Sequence, residues 1–189
     1  MKPADKKSGI INLYVFIGLT AFFLISCDKK LPVIQNIDIL TLPSQTVKDF
    51  ETVYSDSGQV KIVMSAPLLE RYDKSGDPYI EFKSGIRVLF YDGQKDPVAE
   101  ISSKYARYTD SKYLWELRDS VVAVSEDEAR IETELLYWDQ PKDLFYTDRF
   151  VKITDKDQIT MGTGFEYNRK QSKRKIKNVT AIFYINDEE

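Results

Sequence analysis

One unit recurs four times along the chain: an alternating stretch that ends on a tyrosine, a polar turn, then a second stretch. The closing tyrosines are Tyr72, Tyr108, Tyr137 and Tyr167, spaced 36, 29 and 30 residues apart. The turns behind them read Asp73-Lys74-Ser75-Gly76-Asp77, Thr109-Asp110-Ser111-Lys112, Asp139-Gln140-Pro141-Lys142-Asp143 and Asn168-Arg169-Lys170-Gln171-Ser172-Lys173. A repeated hairpin points to one long antiparallel sheet grown by stacking, and away from a compact enzyme organised about one special loop.

The stretches between the turns have the period of a strand. Val60, Ile62, Met64 and Ala66 share one parity, with Lys61 and Ser65 on the other. Ile80, Phe82, Ile86, Val88 and Phe90 alternate with Glu81, Lys83 and Arg87. Half-buried strands read this way. Further strands are expected over 98–108, 113–124, 130–138, 144–154, 158–167 and 176–185. Between 47 and 57, Val47, Phe50 and Val53 suit either a short helix or an edge strand. Tyr91-Asp92-Gly93 opens an expected tight hairpin turn. Strands at this spacing, separated by polar breakers, predict an all-β architecture.

The N-terminal part has a different character. Lys2, Lys6 and Lys7 precede an almost unbroken apolar run from Ile10 to Ile25, a basic region followed by an apolar one, as in a secretory signal. The run is short for a membrane span, which needs roughly 17–25 residues. It ends in Leu24-Ile25-Ser26-Cys27, which resembles a bacterial lipobox, and Cys27 is the one cysteine of the chain. The expected organisation is a lipoprotein signal over 1–27, a tether over 28–46 and a β-domain over 47–189, with Cys27 as lipid anchor. An uncleaved anchor helix is the alternative. Acyl chains on Cys27 would bind a bilayer at about 0.8 kcal/mol per buried methylene. Asp28 behind the cysteine resembles an inner-membrane retention signal.

Composition removes several function classes. Three of the 27 basic and one of the 30 acidic residues precede Cys27, which leaves 24 and 29 and a charge of −5 for residues 28–189. That balance does not suit nucleic acid. The chain has no histidine, which takes away the commonest general base, the usual nucleophile pairs and imidazole metal sites. No catalytic, metal or cofactor constellation is read. Glu81, Glu132 and Glu134 lie on the polar parity of strands rather than facing one another. The run Glu126-Asp127-Glu128 reads as a solvated turn more readily than as a cation site. Gly162-Thr163-Gly164 continues into a strand, so it marks a bulge or close backbone approach rather than a phosphate cradle. Trp115 and Trp138 suit β-packing or sugar binding. Arg169, Lys170, Lys173, Arg174, Lys175 and Lys177 form either a solvated turn or a phosphate-facing patch.

Three segments together carry a family resemblance. Ser102-Ser103-Lys104-Tyr105-Ala106-Arg107-Tyr108 leads to Trp115-Glu116-Leu117-Arg118-Asp119-Ser120-Val121. Ile131-Glu132-Thr133-Glu134-Leu135-Leu136-Tyr137-Trp138-Asp139 leads to Tyr146-Thr147-Asp148-Arg149-Phe150-Val151-Lys152-Ile153, and Gly162-Thr163-Gly164-Phe165-Glu166-Tyr167 follows. Over about residues 46–185 this resembles the LptC family, the periplasmic bridge component of lipopolysaccharide export, and its OstA/LptA-like relatives. The chain departs from many members in carrying a lipobox where they have a plain transmembrane helix.

The resemblance implies an open antiparallel β-jellyroll with a greasy slot for lipid acyl chains and no enzymatic activity. Its implied partners are lipopolysaccharide, the permease subunits of an inner-membrane ABC transporter, and the next periplasmic jellyroll. It also implies residence at the periplasmic face of the inner membrane. Apolar-parity candidates for the slot are Ile62, Met64, Phe82, Ile86, Val88, Phe90, Ile131, Leu135, Ile159, Met161 and Phe165; each also suits a closed core. Val179, Ala181, Phe183 and Ile185 lie on the last strand, where the next jellyroll is expected, and the first strands near 58–66 are expected to face the transporter. The competing reading is a structural or carbohydrate-binding lipoprotein.

Overall fold

The computed structural model describes residues 41–74, 76–125, 128–169 and 173–184. The signal segment, Cys27, the tether up to residue 40, Glu126, Asp127, Lys170 and Ile185 lie outside the described residues. Among the described residues no helix is long and apolar enough to cross a membrane.

Among the described residues, alternation of apolar and polar residues produces eleven strands in one antiparallel sheet. They are β1 (Gln45–Asp56), β2 (Gln59–Tyr72), β3 (Tyr79–Phe82), β4 (Ile86–Phe90), β5 (Ala99–Ser103) and β6 (Tyr105–Thr109). They continue with β7 (Leu114–Ser125), β8 (Arg130–Asp139), β9 (Leu144–Thr154), β10 (Gln158–Asn168) and β11 (Lys173–Tyr184). The pairings follow chain order. β3 and β4 are two halves of one long strand, as are β5 and β6: β2 pairs with β3 and β4, β3 with β6, β4 with β5, and β7 with both β5 and β6. The sheet is therefore an up-and-down meander, and residues 47–57 are its first edge strand, not a helix.

Strands β1 to β10 are interrupted at the same height, β9 between Thr147 and Phe150. The interruptions are Asp49 in β1, Pro67 in β2, Lys83-Ser84-Gly85 between β3 and β4, and Lys104 between β5 and β6. They continue at Asp119-Ser120 in β7, at the register shift beyond Thr133 in β8, and at Gly164 in β10. Asp49, Gly85, Asp119, Ser120 and Gly164 all have positive φ, between 50° and 92°. Bulges of this kind bend a strand and raise its twist. The aligned bends divide the sheet into two wings, one ending at the tyrosine turns and one at the opposite turns.

The wings face each other. Phe90 opposes Ala99, which opposes Ser125, at the end of β7 remote from Trp115 and its partner Trp138. In a flat sheet those ten residues would keep the two ends about 33 Å apart. The ring of Phe90 instead lies 5.7 Å from that of Trp138 and 6.3 Å from that of Phe145. The result is an open antiparallel β-jellyroll whose core lies between the wings, with Phe82, Phe165, Ile153, Val121 and Val151 below 2 % exposed. Burying each such side chain stabilises the fold by about 1.5–3 kcal/mol.

Two turns show the local chemistry. Ser57 and Gly58 both have positive φ, as a two-residue hairpin turn demands. The expected tight turn at Asp92-Gly93 is a wider loop, because Val98 donates to the carbonyl of Phe90 across seven intervening residues.

Candidate binding slot between the two wings

The inner face of the tyrosine wing carries one row of directly opposed residues. Tyr108 of β6 opposes Trp115 of β7, Trp115 opposes Trp138 of β8, and Trp138 opposes Phe145 of β9. Phe145 opposes Tyr167 of β10, and Tyr167 opposes Arg174 of β11. The hairpin registers set these residues side by side close to the tyrosine turns. Ring centroids lie 4.9 Å apart for Tyr108–Trp115, 6.5 Å for Trp115–Trp138, 5.3 Å for Trp138–Phe145 and 6.4 Å for Phe145–Tyr167. Phe82 stacks on Trp115 at 5.7 Å and meets Phe50 of the edge strand at 5.9 Å. An aromatic track thus runs at right angles to the strands, from β1 to β10. Aromatic pairs at such distances contribute about 0.5–1.5 kcal/mol beyond their area.

The track contains an irregularity. The indole nitrogens of Trp115 and Trp138 are buried and have no hydrogen-bond partner among the described residues. Leaving a buried donor unpaired costs about 1–3 kcal/mol.

Both ends of the slot have distinct chemistry. At the β11 end, Arg174 makes two bonds to the carboxylate of Asp155, at 3.0 and 3.1 Å. Arg169 donates to buried Asp143 at 2.9 Å, and its guanidinium lies 5.7 Å from the centre of the Phe90 ring. At the β1 end, a cleft of about 520 Å³ opens on the line of bends beside Phe50, Ala66 and Ile86.

The outer face of the tyrosine wing is a charged lattice. Arg107 lies over Tyr79 at 3.8 Å, Arg118 over Tyr105 at 4.1 Å, and Tyr72 stacks on Tyr79 at 4.8 Å. Tyr105 donates to Glu81 at 2.7 Å. Burial, and then the Glu81 carboxylate, push the Tyr105 hydroxyl up to about 12. Lys83 bridges Glu70 at 2.7 Å and donates to the Tyr72 hydroxyl at 2.6 Å. That bond to Lys83 holds Glu70 below the usual carboxylate range, while Glu70 and Tyr72 raise Lys83. Nothing in this lattice sets two carboxylates across an open cleft, and among the described residues no acidic cluster is arranged to hold a metal ion.

The structure divides the sequence-predicted residues. Phe82, Ile86, Val88, Phe90 and Phe165 are buried in the core between the wings, and Ile62, Met64 and Ile131 lie against it. Leu135 is buried beside the bend of β8, outside that cluster. Ile159 and Met161 do not share the face of Phe165. The bulge between Thr163 and Phe165 reverses the parity of β10, so Thr160 and Gly162 turn inward and Met161 opposes solvent-side Lys152. Of the two glycines, Gly164 carries the bulge and Gly162 the close approach: a Cβ on Gly162 would stand 2.5 Å from the carbonyl oxygen of Asn178.

The repeat itself is of turns, not of faces. Tyr108 and Tyr167 lie against the core, whereas Tyr137 stacks on Tyr146 on the opposite face. Sequence reasoning missed the inward row. Its signal was the recurrence of an aromatic residue within three positions of each turn, at Trp115, Trp138, Phe145 and Tyr167.

Among the described residues the sheet does not close: β1 pairs only with β2 and β11 only with β10. On β11, Val179 is 52 % and Phe183 54 % exposed, Ala181 lies between them, and Ile182 and Tyr184 are exposed on the alternate parity. A family model described as LptC, lipopolysaccharide-assembly, LptC-related, matches residues 13–184. This chain belongs to the LptC family. The match begins upstream of residue 46, inside the apolar N-terminal run. LptC proteins are periplasmic envelope components of the lipopolysaccharide transport bridge, and the open jellyroll here is an LptC fold. No curated protein matches the sequence.

Proposed function

We propose that this LptC protein is a lipid relay. Lipopolysaccharide arrives from the permease subunits of an inner-membrane ABC transporter at the β1–β2 edge. Its acyl chains then pass between the wings along the aromatic track, and β11 hands them to the next periplasmic jellyroll. A lipid on Cys27 holds the protein at the periplasmic face of the inner membrane. The observation that carries this reading is the row of opposed aromatic residues from Tyr108 to Tyr167, continued by Phe82 and Phe50 toward β1.

The row runs across the strands, in the direction of handover between edges. Sheltering about ten methylenes from water is worth on the order of 8 kcal/mol, so the slot lowers the cost of carriage without chemistry. The edge β11 supports the handover. Its last residues are apolar on both parities, the pattern of a strand covered on both faces, and its outer ladder groups are a template for another strand.

Phe145 and Tyr146 offer the test, because they are adjacent on β9 and face opposite ways. A photo-crosslinking amino acid at Phe145 is expected to capture lipopolysaccharide in cells, and the same group at Tyr146 is not. Equal capture at both positions, or none at Phe145, overturns the relay and leaves the structural or carbohydrate-binding lipoprotein.

A further inference from the structure

We infer that the indole N–H groups of Trp115 and Trp138 form a polar seat inside the slot, where they donate to an oxygen atom borne on a lipid acyl chain, as an ester carbonyl or a chain hydroxyl. The inference rests on the relay reading and deepens it.

The two donors sit on directly opposed residues, with ring centroids 6.5 Å apart, so they belong to one site. Both side chains are more than nine-tenths buried, and neither nitrogen has an acceptor. Phe82 and Phe145 offer ring surface only, and the hydroxyl of Tyr108, whose ring lies 4.9 Å from that of Trp115, makes no hydrogen bond to the indole. Phenylalanine at 115 and 138 would continue the stack with no unpaired donor. Tryptophan suits a buried position where its N–H finds a partner. Plain hydrocarbon cannot satisfy such a donor, whereas a chain bearing oxygen can. The seat lies midway along the track, where a passing chain is farthest from both open edges.

The chain has two tryptophans, so full-length protein labelled with nitrogen-15 gives two indole signals. Trp115→Phe and Trp138→Phe assign them. The probes are 12-hydroxyoctadecanoate and octadecanoate, which differ only in a mid-chain hydroxyl. The expected result is a downfield move of at least one indole proton with the hydroxylated acid alone. The Trp→Phe variants should then lose up to about tenfold in affinity for that acid relative to octadecanoate. If both acids bind and neither indole signal distinguishes them, the inference falls and the relay stands. If the ligand-free indole protons already exchange magnetisation with a bound water, the donors are satisfied by solvent and the inference again falls. If neither acid binds the wild-type protein, the relay reading falls with it. Should either variant fail to fold, the wild-type titration decides.

Discussion

Arg174, near the start of β11, grips the carboxylate of Asp155, beyond the end of β9, through two parallel bonds of 3.0 and 3.1 Å. Along β10 and β11 the two positions lie ten residues apart: Arg174 is opposite Tyr167, whereas Asp155 is joined to Gln158, which opposes Tyr184. The pair therefore spans the gap between the wings at the open edge. Both partners remain partly exposed, so the pair contributes only about 0.2–1 kcal/mol to stability. Arg174→Ala is expected to leave the unfolding midpoint nearly unchanged and to speed lipid capture at Phe145. The exchange pair Arg174→Asp with Asp155→Arg should restore the slower rate. Time-resolved photo-crosslinking reads both outcomes.

Phe165 is 2 % exposed and central to the core. Phe165→Ala is expected to cost about 3–5 kcal/mol, a large part of a typical stability of about 5–15 kcal/mol. Urea unfolding followed by circular dichroism measures it. A loss below about 1 kcal/mol would mean that the wings are already apart around this residue.

Gly162 tests the seam between the last two strands. An added Cβ meets the Asn178 oxygen at 2.5 Å and Ile176 Cγ2 at 2.6 Å. Gly162→Ala is expected to destabilise by about 1–3 kcal/mol and to loosen β11 first. Hydrogen exchange should show β11 amides unprotected while those of β8 and β9 stay slow.

Proline substitutions at adjacent positions test the docking edge. Along an antiparallel strand, alternate N–H groups point to the neighbour and outward. Of Ala181→Pro and Ile182→Pro, one removes a bond to β10 and the other removes only an outward donor. The second is expected to keep the monomer stable and to abolish pairing with the next jellyroll. Unaltered binding in both variants would place docking elsewhere.

Alkaline pH should weaken the fold on both faces of the tyrosine wing. Folding raises the Tyr105 hydroxyl to about 12 and also raises Tyr72, Tyr108 and Tyr137, chiefly through burial. Above pH 10 the unfolded chain loses these protons first, so the folded state holds more of them and stability falls as pH rises toward 12. The contribution is complete below pH 10. Lys83, raised by Glu70 and Tyr72, adds to the loss at higher pH. Urea midpoints at pH 8, 10 and 11 should fall in that order, and Tyr105→Phe should flatten the decline.

Period-two alternation and polar breakers located the strands to within a few residues, because each reports a local requirement of the pleat. Facing was harder. The bulge near Gly164 turns Ile159 and Met161 outward although they share parity with Phe165, and the shift in β8 brings Leu136 and Trp138 inward instead. A bulge leaves no consistent mark in the apolar pattern. Long-range consequences were less legible still. The meeting of Phe90 with Trp138 depends on all the bends lying at one height, a property of the whole sheet. The basic cluster divides for the same reason: Arg169 and Arg174 reach across to other elements, and Lys177 bridges Glu166 on its neighbouring strand.

The two rims of the sheet are not equally braced. At the tyrosine rim the main-chain ladder runs on into the turns, with Asp110 bonded to Pro78, Gln140 to Tyr113 and Arg169 to Asp143. Asp77 adds side-chain ties to Ser111 and Lys112, and Arg71 ties to Asp110. On the other rim, main-chain bonds such as Val98 to Phe90 and Asp155 to Gln158 close single hairpins, and Tyr91 bonded to Lys61 is the tie between successive hairpins among the described residues. Among the described residues the tyrosine rim is accordingly the more heavily tied of the two. On the relay reading, a widening of the space between the wings falls to the less tied one, and the wing bearing the aromatic row keeps its ring spacing.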